Sequence, residues 1–262
     1  MKRYLLIPIA LFLFIACTKT ITPALTPAPT QLVIQGAVSD TAGPYFVLIS
    51  NSINFYTPNT YPGVSGAAIT ITDSTTGLKD ALSETNTAGR YVTHSLTQGI
   101  PGHTYQLNVS LNGKTYTASS TMPLPVALDS ISFVTNDTTK YQAQANYQDP
   151  KGIANWYKYA MVLNGVPDGR FQSVEDRLSD GRYIHDKADA DTGELKLGYN
   201  VKLCLVGIDK NVYTYLHEAE NIAYNNGSLA APANPTSNIS GGCLGYFSAQ
   251  TVSSKTGVLT KH

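Results

Sequence analysis

Between Gly102 and Leu111 apolar and polar residues alternate without a break. Tyr105, Leu107, Val109 and Leu111 fall on one side, and Gln106, Asn108 and Ser110 on the other. A period of two is that of a half-buried strand. Asn112-Gly113 follows, and then a second alternating run, Lys114–Ser119. Asn-Gly between two such runs predicts a tight hairpin, because both central residues of its turn take positive φ. Ala67, Ile69 and Ile71 likewise share one face while Thr70 and Thr72 share the other. Leu32, Ile34 and Val38 mark a first strand, Tyr45–Ile49 is a continuous apolar run, and Thr87-Ala88-Gly89-Arg90-Tyr91 reads as a turn entering a strand. About seven short strands at this spacing across residues 31–122 predict an antiparallel β-sandwich.

Met122-Pro123-Leu124-Pro125 closes that region, since two nearby prolines interrupt ladder pairing. A second β-rich domain is expected over residues 126–255, with strands at Leu128–Val134, Tyr141–Tyr147, Trp156–Leu163 and Leu195–Ile208. One helix is predicted over Val212–Tyr224, placing Tyr215, Leu216, Ala219, Ile222 and Ala223 on one side. Asn225-Asn226-Gly227 supplies its stop. Asn238–Ala249 reads as a Gly-rich bend and a final strand. The expected class is therefore mainly β: a sandwich, then a second β-rich domain with one helix.

Residues 1–16 have a different pattern. Lys2 and Arg3 precede an apolar run from Leu5 to Ala16. Twelve helical residues rise about 18 Å, short of a hydrocarbon core of about 30 Å, so the run reads as a signal peptide. It ends in Phe14-Ile15-Ala16-Cys17, which resembles the bacterial lipobox; Phe14 stands where Leu is usual. Cys17 is the expected lipid attachment site, and two or three acyl chains anchor almost irreversibly at about 0.8 kcal/mol per buried CH₂. Residues 17–30 then form a Thr/Pro-rich tether with a reach of roughly 40 Å.

The composition fits an exported protein: 42% hydrophobic, only 14% charged, with 17 Tyr and 21 Gly. With 18 basic and 18 acidic side chains there is no basic face for nucleic acid. Losing Lys2 and Arg3 with the signal leaves 16 against 18, a slightly acidic mature chain.

Candidate chemistry is sparse. Cys204 and Cys243 can form a disulfide in an oxidising compartment, or remain as two buried thiols. No C-x-x-C exists, which disfavours a redox enzyme or a zinc ribbon. Asp186, Asp189, Asp191 and Glu194 put four carboxylates in nine residues, a weak calcium candidate beside the simpler reading of a solvated acidic turn. No metal or cofactor is expected. Ser65 precedes a strand and does not form a nucleophile elbow, and no histidine has a motif around it. Tyr45, Phe55, Tyr56 and Tyr61 stand apart from the alternating tyrosines. The last three lie in an Asn/Pro/Ser-rich loop, Asn51–Pro62, a candidate contact surface.

Several phrases together resemble a Bacteroidota lipoprotein family known as domain of unknown function 4249, which has a transthyretin-like or carboxypeptidase-regulatory-like N-terminal sandwich. In the first half they are Val64–Asp73, Ala88-Gly89-Arg90-Tyr91 and Gly102-His103-Thr104-Tyr105. In the second they are Leu128–Ile131, Gln148-Asp149-Pro150, Asn155-Trp156-Tyr157, Ser179-Asp180-Gly181-Arg182, Asn238–Gly242 and Gly245–Ala249. The resemblance spans roughly residues 31–252. It implies no enzyme activity and an outer-membrane lipoprotein often found with TonB-dependent transporters. Thr18-Lys19-Thr20 lacks the acidic residues that surface-exposed lipoproteins of this phylum often carry after the cysteine, so the periplasmic and the cell-surface face both stay open.

The expected function is a lipid-anchored, non-enzymatic accessory or binding module of the cell envelope, bound to membrane through its lipid and to a transporter or another envelope protein. The alternatives are a stand-alone glycan- or peptide-binding lipoprotein and a hydrolase with a convergent carboxylate site in the second domain.

Overall fold

The structure, a computed structural model, describes residues 29–53, 61–137, 140–191, 194–224 and 234–261. Seven strands come first: β1 (Leu32–Ser39), β2 (Phe46–Asn51), β3 (Ala68–Asp73), β4 (Lys79–Glu84), β5 (Arg90–Val92), β6 (Thr104–Leu111) and β7 (Lys114–Thr121). The alternating residues behave as their period requires, with Tyr105, Leu107, Val109 and Leu111 at most 6% exposed and Ile69 and Ile71 at most 2%. Asn112 and Gly113 take φ of 49° and 74°, and Leu111 pairs with Lys114 across them. The expected hairpin is there.

Six further strands, a helix and a closing strand follow: β8 (Ser130–Asp137), β9 (Lys140–Gln148), β10 (Trp156–Leu163), β11 (Val166–Glu175), β12 (Tyr183–Ala188), β13 (Asn200–Ile208), α1 (Lys210–Tyr224) and β14 (Leu244–Val258). β11 and β12 were not expected, and β13 starts at Asn200 where a strand from Leu195 was predicted. The helix starts at Lys210. Asp209 caps it, its Oδ1 accepting the N–H groups of Asn211 (2.8 Å) and Val212 (3.0 Å). Its buried residues are Val212 and Leu216, whereas Ile222, expected inward, is 47% exposed.

The strands form an eleven-stranded mixed sheet, in the order β11-β10-β13-β14-β1-β2-β5-β4-β3-β6-β7, and a three-stranded sheet, β12-β9-β8. The fold is thus mainly β and sandwich-like, as expected. The long sheet curls the first seven strands around one core, which holds Ile34, Ile49, Ile71, Tyr91, Tyr105 and Leu107. Further along, the small sheet covers one face of β10 and β13 over Tyr147, Tyr157, Tyr159 and Leu203. Helix α1 covers their other face through Val206, Ile208, Val212 and Leu216.

β14 links the two regions. Its first half runs parallel to β1, from Val33 opposite Leu244 to Ser39 opposite Gln250. Its second half runs antiparallel to β13, from Gly207 opposite Thr251 to Asn200 opposite Val258. Accordingly Ile239, Cys243, Phe247 and Ala249 pack in the first core, although they follow the second region in sequence. At Gly245, φ is 99° and a Cβ would lie 1.9 Å from the Ile34 carbonyl oxygen. Only glycine fits that approach. A second tie joins the regions where Asp209 Oδ2 accepts the Ser120 hydroxyl, whose oxygen accepts the Ala249 N–H at 2.7 Å.

At the β3 end of the first core, Asp73 is 3% exposed. Burial alone would raise its pKa. Hydrogen bonds from His103 (2.8 Å) and the N–H groups of Thr75 and Thr76 outweigh burial and hold the carboxyl below its usual range. A depressed carboxylate adds stability that is full above its unfolded pKa and is lost as pH falls through the lower folded value. Urea denaturation from pH 7 to 3 should therefore show wild type losing stability below about pH 4. Asp73→Asn should be less stable at pH 7 and flatter below pH 4; an equally steep acid loss in the variant would remove Asp73 from the account.

Candidate functional site

Of the residues singled out by sequence, Cys17, Phe55 and Tyr56 lie outside the described residues. Tyr61 is 59% exposed. It borders a cleft of about 610 Å³ lined by Leu48, Gly89, Arg90, Tyr215 and Leu244 among others. Three elements meet there: the outer side of β1 and β2, the turn at Thr87–Arg90, and helix α1 through Tyr215. Leu48 is 44% exposed. Arg90 stacks its guanidinium 3.8 Å above the Phe46 ring and makes no ion pair among the described residues. The cleft thus combines apolar surface, a tyrosine and an unpaired cation, groups able to hold an aromatic or acidic partner surface. Tyr45 does not belong with them. It is 7% exposed, with its hydroxyl 2.6 Å from the carbonyls of Ser39 and Thr41.

A broader trough of about 870 Å³ lies over the outer face of β4, β3, β6 and β7. Thr70, Thr72, Gln106, Asn108 and Ser119 line it, so it offers hydroxyls and amides. Those are the polar positions that alternate with the buried ones.

Cys204 and Cys243 are both free thiols. Cys204 sits opposite Ser254 on β14, and Cys243 immediately precedes Leu244 at the far end of that strand. About 35 Å of strand path lies between them, against a Cα separation of at most about 7 Å for a disulfide. The bridge is therefore replaced by the other reading, two separate thiols. Burial raises both pKa values, that of Cys243 to about 11, so neither is an activated nucleophile.

The four carboxylates read as a calcium candidate have four separate destinations. Asp186 accepts the Tyr159 hydroxyl at 3.0 Å. Asp189 pairs with Arg170 at 2.9 Å and accepts Gln142 Nε2. The Asp191 carboxylate lies against Gly169 while its own N–H donates to Asp168, and Glu194 pairs with Lys140 at 3.2 Å. Their closeness in sequence does not become a shared site.

Three other carboxylates do meet. One oxygen from each of Asp149, Asp176 and Asp180 lies within 4.8 Å of the others. Asp149 follows β9, Asp176 follows β11, and Asp180 precedes β12. Asp149 is 1% exposed; its Oδ1 accepts the Tyr157 hydroxyl (2.8 Å) and its Oδ2 the Gly181 N–H (3.1 Å). Asp180 Oδ1 accepts the Gly152 N–H at 2.7 Å, and Asp176 Oδ2 the Asn155 N–H at 2.8 Å. Burial, followed by the charges of Asp149 and Asp180, raises the pKa of Asp176. Residue spacing does not reveal this group because Asp149 lies after β9, about thirty residues before the β11–β12 connection that holds Asp176 and Asp180. The signal was nevertheless present in Gln148-Asp149-Pro150, Asn155-Trp156-Tyr157 and Ser179-Asp180-Gly181-Arg182, quoted above for the family resemblance.

A serine, a histidine and a glutamate also meet where α1 packs on β11, without forming a triad. Ser173 donates to Glu220 (2.5 Å) and lies 3.2 Å from His217 Nδ1. The carboxylate is on the serine, where a triad needs it on the far ring nitrogen. This contact fastens the helix.

No described helix is long and apolar enough to cross a membrane. Fold and surface together define a mainly β, sandwich-like protein whose clefts border its sheets. The family described as Domain of unknown function (DUF4249) matches residues 18–256, and the chain belongs to that family. No curated protein matches the chain.

Proposed function

We propose that this protein is a lipid-anchored component of the outer membrane, held through Cys17, and that it is a non-enzymatic accessory or binding module working beside a TonB-dependent transporter. The observation that carries this reading is the cleft around Tyr61. Its exposed Leu48 and Tyr61, with Arg90 making no ion pair among the described residues, form a partner-binding surface at the junction of sandwich and helix. The tether of residues 17–30 lets that surface reach a neighbour in the same leaflet.

The polar trough over β3 and β6 favours the second reading, a glycan-binding lipoprotein acting alone, because its hydroxyls and amides suit sugar hydroxyls. One experiment separates the two. The native protein is cross-linked in membranes, solubilised in detergent and isolated. The accessory role is supported if a transporter, identified by mass spectrometry, accompanies wild type and is lost from a Leu48→Ser/Tyr61→Ser variant. Emergence of the protein alone, with a melting shift on adding oligosaccharide, would replace it by the second reading.

A further inference from the structure

The knot of Asp149, Asp176 and Asp180 joins the two sheets of the second region at one end. Asp149 and Asp180 flank strands of the small sheet, and Asp176 ends a strand of the large one. None of the three makes an ion pair among the described residues. Lys151 packs its stem against Gly181, yet its ammonium pairs with none of them. Three carboxylates this close repel one another, and buried charge without a counter-charge is unfavourable.

Asn155, 7% exposed, belongs to the same knot: its N–H donates to Asp176 Oδ2, and its carbonyl accepts the Asp176 N–H at 3.2 Å. Its side-chain Oδ1 is sealed from solvent and has no hydrogen-bond partner. A dry acceptor on the residue whose N–H holds the Asp176 carboxylate lacks a proton donor, and a cation satisfies such an oxygen as well as it does a carboxylate.

We infer that Asp149, Asp176, Asp180 and Asn155 form a binding site for a hard divalent cation of the calcium class. All four donors are oxygens, with no histidine or thiolate among them, which is the ligand set of calcium and not of zinc. Calcium takes six to eight oxygens in flexible geometry, so second carboxylate oxygens and water complete the shell. Tyr157 and the N–H groups of Gly181 and Gly152 orient the carboxylates from behind, as outer-shell donors do. The ion bolts the ends of both sheets together. This inference is independent of the proposed partner cleft.

The test is calorimetric titration of the purified full chain, first stripped with EDTA, with calcium chloride, alongside thermal melting with and without the metal. Wild type should bind one ion with a dissociation constant of about 10⁻⁴–10⁻³ M. At about 10 mM calcium its Tm should rise by about 3–10 °C. Asp180→Asn keeps an acceptor for Gly152 and sits at an exposed position, so it tests the site without opening the core. It should bind about tenfold more weakly or worse, and in EDTA it should melt at or above wild type because one repelling charge is gone. Absence of heat and of a melting shift in wild type would overturn the site. So would an Asp180→Asn protein that melts below wild type in EDTA yet keeps the full calcium response.

Discussion

Gly245→Ala is expected to cost at least about 3 kcal/mol of stability. The methyl group would meet the Ile34 carbonyl at 1.9 Å, at a φ of 99° that an L side chain avoids. Relief requires β14 to lift from β1, and the loss then spreads. The same strand carries Phe247 into the first core and pairs with β13 in the second region. Trp156, the sole tryptophan, lies on β10 and packs beside α1, so its emission reports the second region. In urea, the Trp156 midpoint of the variant should fall together with the midpoint from far-ultraviolet circular dichroism. A Trp156 midpoint equal to wild type would mean that the two regions are not coupled through β14.

Cys17→Ser should release nearly all of the protein from the envelope fraction into the soluble one, if the proposed acyl anchor holds it. Two acyl chains give effectively permanent attachment, whereas a segment rich in Thr, Pro and Ala, with only Ile21 and Leu25 as large apolar residues, offers too little apolar surface to replace them. The readouts are sedimentation of envelopes and incorporation of a fatty-acid probe, in wild type and variant together. A variant that still sediments, or a wild type that takes up no probe, would sink both the anchor and the accessory role that depends on it. The calcium response would be untouched by this variant, since its residues lie far along the chain in the folded region.

What was legible in the sequence follows from how local the causes are. The β6–β7 hairpin needed only alternation and Asn112-Gly113, and both act within a few residues. Helix α1 was read from its apolar spacing. Its buried face was only partly anticipated, because Asp209 and the sheet decide which residues turn inward. β11 escaped notice because it is an edge strand containing Pro167 and Gly169, mostly half-exposed, with no alternation to find. Asn164-Gly165, at φ of 50° and 84°, marks its hairpin as plainly as Asn112-Gly113 does and was the available clue. The acidic knot lay beyond this kind of reading. Proximity in sequence pointed to Asp186–Glu194, whereas carboxylates from turns thirty residues apart are the ones that meet.

The parallel pairing of Val33 with Leu244 sets an order of events during synthesis. A polypeptide emerges with its N-terminus first, so β1 must wait, lacking its neighbour on one side, until more than two hundred further residues have been made. Contacts so distant along the chain are slow to form. While that partner is missing, the first core lacks Phe247 and Ala249, and it closes only once β14 has been made.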